Sequence, residues 1–218
     1  MLFRSDYILI PHAPKFHGID WHRPHEPGRQ RLVEICSQWG VSEEGGYKSV
    51  RHALDLGYQF GFTGGTDNHV AEPGNPDQGG LTGLLAPELT RRAVFDALVD
   101  RRTFATTGPR MILAFRVNGE IMGREMSAGP DEPRQVRGRA ITSEPIASVQ
   151  VIRNGQVAHE QSGEGRMDVT IEWDDADPLA DLAVERELAD RRFAYYYLRV
   201  ETVGGQLGWA SPIWVRPA

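Results

Sequence analysis

Two rhythms of apolar residues divide the chain. Up to about residue 109 short apolar runs alternate with stretches whose apolar positions recur at helical spacing, and beyond Arg110 the repeat falls to two. Tyr7-Ile8-Leu9-Ile10 and Leu32-Val33-Glu34-Ile35-Cys36 read as short buried strands, with Phe60-Gly61-Phe62-Thr63 as a third. Between the last two, Tyr47 to Leu56 places Val50, Ala53 and Leu54 on one helix face and stops at Gly57, which suits a left-handed C-terminal cap. Leu81 to Ala86 predicts a fourth strand. Thr90 is placed as the N-cap of a helix running to about Asp100, with Leu89 and Val94 as its hydrophobic staple. Strands alternating with helices predict a parallel sheet or barrel with crossover connections.

The second rhythm begins with Met111, Leu113, Phe115 and Val117 on one face of a strand, and continues through Ser148 to Ile152, Tyr195 to Val200 and Trp209 to Val215. Asn118-Gly119, Asn154-Gly155 and Gly204-Gly205 sit between such runs as hairpin turns. Ser127 to Pro133 reads as a loop, and the acidic stretch Asp174 to Asp190 as irregular chain with room for a short helix around Leu179 and Leu182. The expected architecture is α/β plus all-β: residues 1–109 as an α/β unit and residues 110–218 as an antiparallel β-sandwich.

Composition narrows the classes. The 218 residues are 40% hydrophobic and 25% charged, a balance that supports packed cores and argues against disorder. A formal net charge of −6 excludes an extended phosphate-backbone binder, and Arg91, Arg92, Arg101 and Arg102 are interleaved with acids as on a solvated face. Nucleic acid is therefore not an expected partner. Cys36 is the single cysteine, so an internal disulfide and a cysteine-cluster zinc site are excluded, and the reducing cytoplasm is the expected compartment. The stretch Met1 to Ile10 is broken by Arg4 and Asp6 and ends at Pro11, unlike a signal peptide or a membrane span.

Six of the seven histidines lie within the first 69 residues, which places the chemistry there. His12 follows the first apolar run directly, and Gly64-Gly65-Thr66-Asp67-Asn68-His69 follows the third, so two strand ends offer metal-ligand types on one rim, the edge where α/β sheets bind ligands. In an extended Asp-x-His segment the carboxylate and imidazole point the same way, as a shared metal requires, and the two glycines permit close approach. Glu34 interrupts an apolar strand. It reads equally as an outward-facing side chain or as a ligand or base at the same rim. In the proline-stiffened loop His17-Gly18-Ile19-Asp20-Trp21-His22-Arg23-Pro24-His25, His17, Asp20 and His25 are candidates for supporting a metal site from outside, and His22 for a solvated surface group. His52 reads as packing or surface. Cys36 reads as a buried inert thiol, and neither a nucleophile elbow nor a phosphate loop is present.

Taken in order, Ile10-Pro11-His12, Leu32-Val33-Glu34-Ile35 and Gly64-Gly65-Thr66-Asp67-Asn68-His69 resemble later motifs of the PHP (polymerase and histidinol phosphatase) metallohydrolase superfamily. Gly79-Gly80-Leu81-Thr82, Leu89-Thr90-Arg91, Arg101 to Gly108, Asn118-Gly119 through Met122-Gly123 and Ser211 to Val215 are similar to an uncharacterised branch near the CehA/McbA-like enzymes. The resemblance implies the C-terminal part of a distorted β/α barrel followed by the sandwich. It further implies two or three divalent metals, Zn²⁺, Mn²⁺ or Fe, in a complete site. His12, Asp67 and His69 match ligand positions, and Glu34 a further one. A His-x-His strand and further ligands are implied ahead of His12 and do not precede it here, so fewer metals or none are implied for this chain alone.

The expected activity is hydrolysis of a small phosphoester, ester or carbamate by metal-activated water, with His12, Asp67 and His69 as the catalytic set. The alternative is a non-catalytic binding or assembly module that keeps a residual metal site. A partial barrel leaves unpaired strand edges and an apolar flank, which predicts self-association or a requirement for a missing N-terminal segment. Sedimentation checks this: the expected outcome is dimers or larger species, and a monodisperse monomer overturns it.

Overall fold

The computed structural model describes residues 7–12, 15, 18–23, 26–70, 72, 75 and 79–218. The segment expected as the first strand is not one. Residues 7–12 have no regular structure, and Tyr7, Leu9 and Ile10 are exposed. Only two backbone bonds tie the segment down among the described residues, from the Leu9 amide to the Arg29 carbonyl and from the Glu34 amide to the Pro11 carbonyl.

Regular structure begins at β1 (Leu32–Ser37), which turns into the short β2 (Gly40–Val41). Helix α1 (Val50–Leu56) follows, its amide at His52 accepted by the Ser49 hydroxyl and its end closed by Gly57 at φ +118°, as the sequence predicts. β3 (Gly61–Gly64) returns parallel to β1, pairing Leu32 with Gly61 and Glu34 with Thr63. The α/β pattern stops there. β4 (Leu81–Leu84) runs antiparallel to β5 (Thr103–Thr106) in a different sheet, instead of adding a parallel strand beside β3. Among the described residues the first sheet holds only β2-β1-β3, and no barrel closes. Helix α2 (Arg91–Val99) lies between β4 and β5 with Thr90 as its N-cap. The expected staple is not made, because Leu89 is 95% exposed and so cannot pack on Val94.

Period two then takes over. β6 (Met111–Val117) alternates buried and exposed residues without a break. It pairs with β7 (Glu120–Ile121) through Asn118 and Gly119, whose φ values of +48° and +82° meet the demand of a tight hairpin. β8 (Glu125–Ala128), β9 (Arg134–Thr142), β10 (Ile146–Arg153), β11 (Gln156–Ser162) and β12 (Asp168–Asp175) follow. A four-residue helix, α3 (Leu179–Leu182), leads to β13 (Ala194–Thr202), β14 (Leu207–Ala210) and β15 (Ile213–Pro217). The loop expected at Ser127 to Pro133 starts later than foreseen, since Ser127 and Ala128 belong to β8. The strand expected from Trp209 to Val215 divides at Ser211-Pro212.

These strands form two sheets. One runs β12-β9-β6-β7, and the larger runs β11-β10-β13-β14-β5-β4, with β15 beside β13 and β8 parallel to β15. The larger sheet therefore draws strands from both sides of residue 110. The two sheets face each other as a sandwich, filled by Leu113, Phe115 and Val136 from one side and Val149, Leu198 and Val215 from the other. The opposite face of the large sheet carries Tyr195, Tyr197, Trp209 and Trp214, packed against Val33, Phe62 and Leu54 of β1, β3 and α1. The large sheet is thus the middle of three layers.

Three consecutive tyrosines of β13 join them. Tyr195 and Tyr197 point into one layer, where their hydroxyls reach Asp55 at 2.9 Å and Glu43 at 2.7 Å. Tyr196 points the other way and donates to Asp175 at 2.8 Å. Burial first, and then the facing carboxylate, raises all three phenol pKa values above their ordinary range, so they act as neutral donors. Asp175 is also held by Arg153 at 2.7 Å and by the fully buried Arg134 at 3.1 Å.

Burial alone would raise the Asp175 pKa, but its bonds to Arg153, Tyr196 and Arg134 outweigh that and hold it below the ordinary 3.8. A carboxylate depressed on folding contributes stability that is complete above its unfolded value and is lost as pH falls through the folded one. The expected outcome is an acid-labile contribution that begins to fall as pH drops below about 3.8 and is gone once Asp175 is protonated in the folded protein. Asp175→Ala should cost about 3–5 kcal/mol at neutral pH by leaving Arg134 buried without its partner. Urea unfolding of both proteins at pH 7 and pH 3 checks both, the variant showing the flatter acid limb.

Candidate functional site

Parallel pairing of β1 and β3 brings the two segments carrying the candidate residues side by side. The Glu34 amide donates to the Pro11 carbonyl at 3.0 Å, which fixes His12 next to the Glu34 side chain on β1. Past the end of β3 the chain is held from three directions. The Thr82 hydroxyl donates to the Gly64 carbonyl at 2.8 Å and accepts from the Gly64 amide at 2.9 Å. The Gly65 amide donates to the Cys36 carbonyl at 3.0 Å, and the Gln38 side-chain amide donates to the Asp67 carbonyl.

The result is a row of alternating carboxylates and imidazoles. His12 Nδ1 lies 3.0 Å from Glu34 Oε1, and His12 Nε2 lies 3.3 Å from Asp67 Oδ2. The other Asp67 oxygen is 3.0 Å from His69 Nε2. All four residues that the sequence singles out are therefore in one place. The carboxylates are the sheltered members, with side-chain exposures of 14% for Glu34 and 18% for Asp67 against 45% for His12 and 73% for His69. Water reaches the row from the imidazole side.

The reason the sequence offers for the Asp67–His69 pairing does not hold, because this segment is not extended. Asp67 and His69 both adopt left-handed backbone angles, φ +48° and +49°, a conformation that costs a non-glycine residue roughly 1–2 kcal/mol. Gly65 has a different part. A Cβ built there would lie 2.7 Å from Glu34 Oε2, so a side chain at this position would push the carboxylate from its present place beside His12.

Of the remaining candidates, His17 and His25 lie outside the described residues. Asp20 belongs to its own turn, accepting from the His22 amide at 3.1 Å and pairing with Arg23 at 3.5 Å. Cys36 is the inert thiol expected: burial, and then the nearby Glu34 charge, pushes its pKa up to about 12. Sequence reasoning missed Gln38, Thr82 and Trp39, whose ring lies edge-on to His69 at 5.9 Å. None belongs to a recognisable motif, since each acts through a contact set by the fold. A recess of about 530 Å³ lined by Gly79, Thr107, Arg110, Ser143, Glu144 and Gln206 abuts the same loop, as a Cβ on Gly79 would come within 2.8 Å of the Thr66 carbonyl.

Among the described residues no group of three or more His, Cys, Asp or Glu side chains already surrounds a common point as a metal centre would. The donor chemistry nevertheless fits one. Ligands at roughly 2.0–2.2 Å from a metal, at angles between octahedral and tetrahedral, lie about 2.8–3.6 Å apart. The His12–Asp67 and Asp67–His69 separations of 3.3 and 3.0 Å fall in that range.

Comparison with known proteins changes the lineage suggested by the motifs. The family model that matches is that of a protein of unknown function (DUF3604), over residues 75–139. The PHP resemblance finds no support beside it, and among the described residues β4 leaves the β1–β3 sheet instead of extending it as a barrel strand. An uncharacterized protein of Chlamydia pneumoniae is 31% identical over 239 residues, covering 96% of this chain and 38% of its own length. Uncharacterized proteins of Chlamydia trachomatis serovar D and Chlamydia muridarum are likewise 31% identical, each over 240 residues. The chain thus spans about 38% of the curated relatives it matches. No solved structure matches. By sequence, then, the chain is similar to the DUF3604 family in its middle third and to the chlamydial proteins along nearly its whole length.

Proposed function

We propose that His12, Asp67 and His69 bind a divalent metal, with Glu34 orienting His12, and that the site hydrolyses a small phosphoester, ester or carbamate. One observation carries the reading: both nitrogens of His12 face carboxylate oxygens. A neutral imidazole has one N–H to give, so its second nitrogen turns a lone pair toward another lone pair unless a proton or a metal ion lies between them. A positive species between His12 Nε2 and Asp67 removes that repulsion, and a metal ion does so while taking up His69 on the other Asp67 oxygen.

In this arrangement the Glu34 carboxylate, 3.0 Å from Nδ1, favours a proton on that nitrogen and so leaves the Nε2 lone pair for a metal, the usual relation between a ligating histidine and its supporting carboxylate. Gly65 protects that contact by leaving space for Glu34. Imidazole and carboxylate donors favour Zn²⁺, Mn²⁺ or Fe²⁺ over Ca²⁺. When bound, such a metal lowers the pKa of a water and polarises a phosphoryl or carbonyl oxygen. The exposed imidazole side is open to substrate, and the neighbouring polar recess with Arg110 suits one carrying negative charge.

The test is metal binding by chain stripped of metal, followed calorimetrically with Mn²⁺ and Zn²⁺, together with hydrolysis of p-nitrophenyl phosphate and p-nitrophenyl acetate. The expected outcome is saturable binding of at least one ion, lost in His12→Ala and Asp67→Ala along with metal-dependent turnover. Glu34→Gln and Gly65→Ala should each weaken metal affinity by about 10–100-fold while near-ultraviolet dichroism stays unchanged. A folded chain that remains metal-free at saturating Mn²⁺ and Zn²⁺ overturns the reading. Tight metal without turnover of either ester overturns its catalytic half.

A further inference from the structure

At the opposite end of β1 and β3 lies a second polar cavity, of about 340 Å³. Gln30 and Arg31 enter it just before β1, Gly57 to Phe60 just before β3, and Leu188 to Arg191 close it from the far side. Glu34 of the candidate metal site lies three residues along β1 from Arg31, roughly 10 Å at about 3.3 Å per residue. Buried Tyr58, Phe60 and Phe193 give the cavity an aromatic floor.

Its charge is unbalanced. Arg31, Arg191 and Arg216 line it, against one lining carboxylate, Asp190. Arg216 gives one nitrogen to Glu125 at 2.6 Å, but Glu125 is shared with Arg101 at 3.1 Å. Arg31 donates through Nε to the Val99 carbonyl at 2.9 Å, and neither Arg31 nor Arg191 makes an ion pair among the described residues. Behind the wall, Arg216 Nε and Gln59 Nε2 are buried donors without an acceptor there. The crowding is felt by Arg101, whose pKa is lowered to about 10, first by burial and then by the neighbouring Arg31 charge. Asp100, which also faces this group, is engaged with Arg102 at 3.4 Å.

We infer that this cavity is a binding site for a small organic oxyanion, a phosphate or carboxylate carried on an aromatic or compact apolar body. The oxyanion meets the Arg31 and Arg191 guanidiniums, and the compact apolar body lies against the edges of Tyr58 and Phe193. Charge-assisted bonds to guanidinium give such a site its strength, and its size falls within the usual range for small-ligand pockets. The inference is independent of the metal site, because no residue is common to both.

Isothermal titration at fixed ionic strength tests it, using inorganic phosphate, phenyl phosphate and benzoate as probes. Working in a His12→Ala background keeps the other site silent. The expected result is saturable binding of phenyl phosphate or benzoate, tighter than inorganic phosphate, which also tells the phosphate form of the ligand from the carboxylate form. Arg31→Gln should weaken it by about tenfold or more. Arg191→Gln should weaken it in the same direction, and because that side chain has no described partner, its loss leaves folding intact. Arg91→Gln, on the remote face of α2, should change nothing. Absence of saturable binding for all three probes overturns the inference, as does binding that survives both Arg31→Gln and Arg191→Gln.

Discussion

The architecture depends on a constraint at the centre of β13. A strand whose two faces are both buried has no solvent side on which to place polar atoms, yet this one carries three phenols in succession. Each hydroxyl needs a partner inside the protein, and the partners come from different layers: Asp55 from α1, Glu43 from the turn after β2, Asp175 from β12. Alternation sends the first and third tyrosine one way and the second the other. Three phenol–carboxylate bonds, two of them fully buried, thus tie the layers to either side of the strand. The same side chains supply much of the aromatic surface on which those layers pack.

Much of this was legible in the residues. The strand at Leu32 to Cys36, the helix closed by Gly57, the cap at Thr90 and the Asn-Gly hairpins rest on local chemistry, and local chemistry decided them. What was not legible depended on pairing between distant strands. Nothing in Leu81 to Leu84 says that β4 will bond to β5 rather than lie beside β3, and that single choice separates a three-layer β protein from the expected partial barrel. β9 was hidden for another reason. Its inward positions include Arg134, a residue that reads as surface until Asp175 and Tyr196 supply its partners.

The candidate site shows the same division. Residue type and order picked out His12, Glu34, Asp67 and His69, and the fold brings those four side chains together. The backbone that does so could not be read in advance, because an Asp-x-His segment suggests extended chain and the observed one is left-handed at both residues. Glu34, open to two readings in sequence, turns toward His12 with its carboxylate lying against Gly65. Gln38 and Thr82 steady the loop from β1 and β4, and so contribute through tertiary contacts that carry no motif.

The middle sheet also has a consequence for how the chain is made. β4 and β5 emerge from synthesis roughly a hundred residues before β13 and β14, the strands that complete their sheet. Contacts so far apart in sequence are slow to form, because a long loop must be closed before any of them is gained. Until β13 appears, Val33, Phe62 and Leu54 lack the aromatic wall that buries them. A nascent chain halted before Ala194 would therefore present these greasy side chains to whatever surrounds the ribosome, an aggregation hazard that ends only when β13 arrives.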